Sequence, residues 1–123
     1  MTKLWHDDIR PAPAGWEWAR TNSAAREILS SKQVVEISLD HDLGLHEFTE
    51  EQIEENPELL FGRGAAEETG YDLVNWMIEN DLVPPVITIH SWNPDGARNM
   101  AARLNHFGYD CTIAPYSVGA VLL

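Results

Sequence analysis

Val-Val-Glu-Ile-Ser-Leu-Asp-His-Asp, residues 34–42, sets a β-branched, apolar run directly against a polar triplet. Branched side chains pack well on a pleated surface, so Val34 to Leu39 reads as a strand buried in the middle of a sheet. The change of character at Asp40 is abrupt. It places two carboxylates and an imidazole, Asp40, His41 and Asp42, just past the carboxyl end of that strand.

The flanking sequence supplies the rest of the sheet. On the N-terminal side, Lys3 to His6 reads as a short strand that ends in Asp7-Asp8. Arg10 to Gly15 holds two prolines and a glycine, which makes it a loop and no regular helix. Trp16 to Arg20 has the aromatic content and alternation of a second strand. Thr21-Asn22-Ser23 can cap a helix that carries Ala24, Ala25, Ile28 and Leu29 on one face. Beyond the central strand, Thr69-Gly70-Tyr71-Asp72 opens a helix with an apolar stripe of Leu73, Val74, Met77 and Ile78. Trp76 flanks that stripe, and Pro84-Pro85 is expected to stop the helix. Val86 to His90 is a fourth strand. Asn93-Pro94-Asp95-Gly96 starts a helix whose Ala97, Met100, Ala101 and Leu104 share a face, and Gly108 ends it. Tyr109 to Ala114 is the fifth strand.

Strands alternating with helices predict an α/β fold with a parallel sheet and helices on both faces. Ligands of such open sheets sit beyond the carboxyl ends of the strands. Asp7-Asp8, Asp40-His41-Asp42 and His90-Ser91 each follow a strand directly, so three polar clusters fall on that edge.

The bulk properties agree with a small globular domain. The chain has 123 residues, of which 44% are hydrophobic, which fits one domain over 1–123 with one core. Its formal net charge is −12 with only 8 Lys and Arg, a balance that disfavours duplex nucleic acid. Small phosphorylated ligands remain compatible, because a bound cation reverses the local field. No apolar run is long enough to span a bilayer, and Cys111 is the single cysteine. Without a signal-type segment, the expectation is a cytoplasmic protein with no membrane partner.

Five acidic or imidazole groups at two strand ends repel one another unless some take up protons or a cation joins them. An oxygen-rich set favours Mg²⁺ or Mn²⁺ and admits Ca²⁺, while the histidines leave room for Zn²⁺. Asp7, Asp8, Asp40 and Asp42 are the candidate metal ligands. His41, His90 and Asp40 are the candidate catalytic groups, and Ser91, Asn93 and Arg98 the candidate phosphate contacts, with Arg10 and Asn99 beside them. Each feature has a plainer reading as well. Asp7-Asp8 suits a loop start, His90 a core histidine, and Ser91 and Asn93 suit helix caps. His90 and Ser91 are adjacent in an extended segment and point to opposite faces, which argues against a Ser–His pair. Cys111 lies in an apolar stretch and reads as buried. Gly62-Arg63-Gly64 is too short for a phosphate loop.

Four motifs together resemble the cyclic-phosphate-processing receiver domain family. They are Leu-Trp-His-Asp-Asp-Ile-Arg-Pro-Ala-Pro at 4–13 with Gly-Trp at 15–16, and Ile-Ser-Leu-Asp-His-Asp-Leu-Gly at 37–44. Thr-Gly-Tyr-Asp at 69–72 and His-Ser-Trp-Asn-Pro-Asp-Gly-Ala-Arg-Asn-Met at 90–100 complete the set. The resemblance implies a receiver-like (flavodoxin-like) sheet of order 2-1-3-4-5. It equates Asp7 and Asp8 with the receiver's metal-binding acids and Asp40 with its phospho-accepting aspartate. The chain departs from ordinary receivers in a proline loop where the first helix belongs and in the apparent loss of the last helix. Pro115-Tyr116 stands where a phosphoryl-pairing lysine is expected, so phosphorelay signalling is disfavoured.

The implied activity is metal-dependent processing of a cyclic phosphate or cyclic nucleotide, in bacterial or phage conflict signalling. The alternatives are a non-catalytic binder that sequesters a cyclic nucleotide, with Trp5, Trp16 or Trp92 stacking on its base, and a degenerate receiver that docks other proteins. Residues 44–68, rich in glutamate, are expected to form an acidic insertion or lid. The apolar tail, with Val118, Val121, Leu122 and Leu123, is expected to cover a bare sheet face or to pack in a homodimer.

Overall fold

Five strands carry the architecture: β1 (Thr2–His6), β2 (Glu17–Ala19), β3 (Val34–Leu39), β4 (Val86–Ile89) and β5 (Thr112–Ile113). Among the described residues the helices between them are α1 (Asn22–Ser31), α2 (Gly70–Glu79) and α3 (Pro94–His106). The computed structural model describes residues 1–41, 55, 69–91 and 93–114. Asp42, Trp92, the tail over 115–123 and, apart from Glu55, the insertion over 44–68 lie outside the described residues.

All strand pairs are parallel, and the order is β2-β1-β3-β4-β5, as the resemblance implies. The register sets Leu4 beside Ile37 and Ile37 beside Ile87; one step on, His6, Leu39, Ile89 and Ile113 form a row. Leu4, Ile37, Leu39, Ile87 and Ile89 therefore share one face. They are buried in one cluster with Ala25 and Leu29 of α1, Leu73, Val74 and Met77 of α2, and Ala97, Met100 and Leu104 of α3.

For the described helices, that single cluster departs from the expectation of helices on both faces. Helix α1 packs on α2, α2 packs on α3, and all three cover the same side of the sheet. The opposite side carries Lys3, Trp5, Glu36, Ser38, Val86 and Thr88, and Val86 is half exposed. The physical reason lies between β1 and β2. Residues 8–16 contain no helix, because the prolines at 11 and 13 remove backbone donors there.

The helix boundaries follow their caps. The Thr21 hydroxyl accepts from the Ala24 N–H, and the Asn93 side chain accepts from Gly96 N, with Pro94 in the first turn of α3. Thr69 and Asp72 form a reciprocal capping box at the start of α2. Helix α2 stops earlier than expected. It ends at Glu79, and Asp81 takes a left-handed φ of 55°, so the reversal precedes Pro84-Pro85. Strand β5 is shorter than the expected 109–114. Cys111 precedes it and is half-buried, which corrects its placement inside a buried strand. Among the described residues, no helix is long and apolar enough to cross a membrane.

Candidate metal and phosphate site

The ladder of backbone hydrogen bonds runs on past the strands. Asp7 N–H donates to Ala19 O, Asp40 N–H to His6 O and His90 N–H to Leu39 O, at 2.8–3.1 Å. Three loops are thereby held in sheet register for one further residue. Asp7, Asp40 and His90 continue the row that Trp5, Ser38 and Thr88 begin. All three lie in the protein's interior with Asp8, at 1–7% exposure, so their charges are poorly solvated.

Asp7 is the most heavily bonded of these groups. One oxygen accepts from the Ile9 and Arg10 backbone N–H groups at 2.8 Å. The other accepts from Arg10 Nε at 3.1 Å and His90 Nε2 at 2.9 Å. Burial alone would raise its pKa; the donors from His90, Arg10 and Ile9 outweigh that and hold the carboxyl below the usual range. Because Asp7 can only accept, His90 carries its proton on Nε2. Its Nδ1 then accepts from the Ser38 hydroxyl at 2.6 Å. Trp5 stacks on the His90 ring at 4.0 Å and 5°. Burial lowers the His90 pKa against the pull of Asp7, so the ring is a neutral strut with both nitrogens engaged.

Asp40 is poised differently. Its Oδ1 accepts from the His41 N–H at 2.9 Å. Among the described residues, no donor reaches its second oxygen. Burial first, then the charges of Asp7 and Asp8, raise its pKa well above the ordinary value, against the attraction of Arg10. Carboxylate oxygens of Asp7, Asp8 and Asp40 all lie within 4.8 Å of one another. At that separation two full charges repel by about 3.5 kcal/mol in an effective dielectric of roughly 20. This donor set fits a hard divalent cation, which would cancel the repulsion and satisfy the open Asp40 oxygen. Asp7 itself accepts four hydrogen bonds, which leaves it fewer lone pairs to offer a cation.

Side chains from outside the cluster fix its backbone. Trp18 Nε1 donates to Asp7 O at 2.7 Å, and Arg20 donates twice to Asp8 O, at 2.7 and 3.1 Å. Arg20 also lies over the Trp18 ring, 4.9 Å from its centroid. Beneath Asp40, His6 Nε2 pairs with Asn22 Oδ1 at 2.8 Å, and Asn22 Nδ2 donates to Thr69 O at 2.9 Å. Two glycines let the helices close on the Asp40-His41 turn. A Cβ at Gly70 would lie 1.9 Å from Asp40 O, and one at Gly96 2.5 Å from the His41 ring.

The remaining sequence candidates divide. Arg10 joins the cluster, reaching Asp7 and, through Nη2, His90 O at 2.6 Å. Ser91 Oγ accepts from Asn93 N, and Asn93 Oδ1 from Gly96 N, so both oxygens serve the turn into α3. Arg98 pairs with Asp95 on the exposed side of that helix. His41 and Asn99 instead line an open pocket of about 600 Å³, together with Thr69, Tyr71, Arg103 and His106. Asp42 lies outside the described residues.

Several partners escaped the sequence reading. Ser38 had a signal, since a polar residue two positions before Asp40 in a strand shares its face. Trp18 and Arg20 had none, because they act by reaching backbone carbonyls across strands. Trp5, one of three tryptophans offered for stacking on a base in the sequestration reading, has one ring face against His90 and meets Trp16 edge-on at 6.1 Å.

No curated protein and no solved structure matches the chain. A family model described as the cyclic-phosphate processing receiver domain matches residues 2–106, from the start of β1 to the end of α3. The match takes in every loop that builds the acidic edge, and on it the chain belongs to the cyclic-phosphate processing receiver domain family.

Proposed function

We propose that this chain hydrolyses a cyclic phosphate ester at the acidic edge, with a divalent cation, Mg²⁺ or Mn²⁺, held by Asp8 and Asp40. One observation carries the reading: three buried carboxylates converge within 4.8 Å, and Asp40 is held in a state that a cation would relieve. When bound, such an ion polarises phosphoryl oxygens and acidifies a coordinated water.

The chain's own residues supply the rest. Asp7 orients Arg10 through its Nε, and Arg10 in turn spans to the His90 carbonyl, which sets a guanidinium beside the carboxylates. A guanidinium so placed suits a phosphate oxygen. His90 keeps Asp7 in position and has no nitrogen to offer a substrate. The acid–base role therefore falls to His41, which adjoins Asp40 and faces the pocket. In the reaction the attacking water gives up one proton as its oxygen bonds to phosphorus, one ester P–O bond breaks, and the departing alkoxide takes up one proton, so His41 ends in its starting state. The product is a phosphomonoester.

The test is a mass balance. A 2′,3′-cyclic nucleotide is incubated with the full chain and Mn²⁺, and all nucleotide species are quantified by liquid chromatography and mass spectrometry. A monophosphate should accumulate with the parent and fall at least a hundredfold with His41→Gln. Quantitative return of intact ligand after denaturation would replace hydrolysis with sequestration.

A further inference from the structure

The pocket that begins at His41 has a composition unlike the rest of the chain. The formal net charge is −12, yet the described residues that line the pocket include no carboxylate and do include His41, Arg103 and His106. Asn99, Arg103 and His106 stand at i, i+4 and i+7 on α3 and form one wall. Tyr71, at the start of α2, contributes an aromatic ring with a hydroxyl.

Arg103 is held in place. Its Nε donates to Asn75 Oδ1 of α2 at 2.8 Å, and its guanidinium lies over the Phe107 ring, 4.8 Å from the centroid. Among the described residues it has no carboxylate partner. A cation near a helix C-terminus complements the macrodipole, and that alone would explain the sign of its charge. It would not explain a guanidinium tied across to a second helix in a wall that begins at the acidic edge. Preorganisation of this kind removes part of the entropy cost of binding.

The spacing can be read from the helix. The His41 ring packs against Gly96, and Arg103 is seven residues further on, about 10 Å along the axis. We infer that Arg103 is an anion subsite, and that the ligand is a nucleotide with two phosphates. The cyclic phosphate lies at the acidic edge, the nucleoside lies along Tyr71 and Asn99, and the second phosphate lies on Arg103. This inference rests on the proposed function, since it extends the same ligand.

The test compares binding of 2′,3′-cyclic AMP with that of its 5′-phosphorylated form, by titration calorimetry in Mn²⁺, with every protein, the parent included, carrying His41→Gln so that the ligand is not turned over. The parent should prefer the 5′-phosphorylated ligand by about tenfold, as one charge-assisted hydrogen bond provides. Arg103→Gln should abolish the preference and leave 2′,3′-cyclic AMP binding within about twofold, which also shows that the variant is folded. Arg103→Lys should retain most of the preference. Lys32→Gln, an equal loss of charge at the end of α1, should leave it unchanged. Equal affinities in the parent, or a preference that survives Arg103→Gln, would overturn the subsite and leave the proposed hydrolysis standing. Absence of binding by both ligands would overturn both readings.

Discussion

His6 ties the floor of the site together, and its protonation should loosen the fold. The ring is fully buried, its Nε2–H donates to Asn22 Oδ1, and Asn22 passes the chain of bonds on to Thr69. Burial, opposed by the bond to Asn22, pushes its pKa from 6.5 down to about 4. The unfolded chain takes up this proton near pH 6.5, whereas the folded chain resists until about pH 4. Folding stability from His6 is therefore complete above pH 6.5, falls as the pH drops toward 4, and is level below that. At pH 5.0 the loss amounts to about 2 kcal/mol, from 1.36 kcal/mol per unit over the interval below 6.5. His6→Gln keeps an N–H for Asn22 and cannot titrate. Urea unfolding in EDTA at pH 7.5 and pH 5.0 should show the parent losing about 2 kcal/mol more than His6→Gln. Contributions from His90 and Asp40 act in both proteins and cancel in the difference. Equal losses in the two proteins would show that His6 is not held neutral in the fold.

Other outcomes follow from the same geometry. Ser38→Ala strands a buried His90 nitrogen and should lower stability by about 1–3 kcal/mol, with Ser38→Thr restoring most of it in denaturant titrations. Arg20→Gln removes the two N–H groups on the Asp8 carbonyl, and should weaken Mn²⁺ binding about tenfold in a calorimetric titration. Asp40→Asn relieves repulsion from Asp7 and Asp8, so the metal-free variant should melt several degrees above the parent. That advantage should shrink when Mn²⁺ is added, because the ion stabilises the parent's folded state. Burial and then the Asp110 charge raise the Cys111 thiol, so iodoacetamide should modify it more slowly at pH 8 than it modifies a small free thiol.

Sequence alone revealed more of the sheet than of the site. The run at 34–39 and the three polar clusters carry local signals, namely β-branching, period-two alternation and a sharp end to apolar character. Strand order came through the motifs of a family and not through periodicity, since register is a long-range property. That the three described helices pack on one side was not legible, because alternation of elements does not reveal which crossover helix a proline loop has replaced. Asp7, Asp8 and Asp40 were visible because each follows a strand. Their division of labour was not visible: it depends on four donors to Asp7 and on Gly70 and Gly96 admitting two helix ends. Arg103 and Tyr71 looked like ordinary helix residues, and only the packing of α2 on α3 makes a pocket of them.

The central claim is that Asp8 and Asp40 hold a divalent cation, and titration calorimetry with Mn²⁺ tests it most directly. Performed at pH 7.0 and below, in two buffers of different ionisation enthalpy, it reports protons displaced as well as affinity. The account predicts a single saturable site in the parent, proton release that grows as the pH is lowered because the Asp40 pKa is raised, and loss of binding in both Asp8→Asn and Asp40→Asn. A parent that binds no Mn²⁺, or variants that bind it as the parent does, would contradict it.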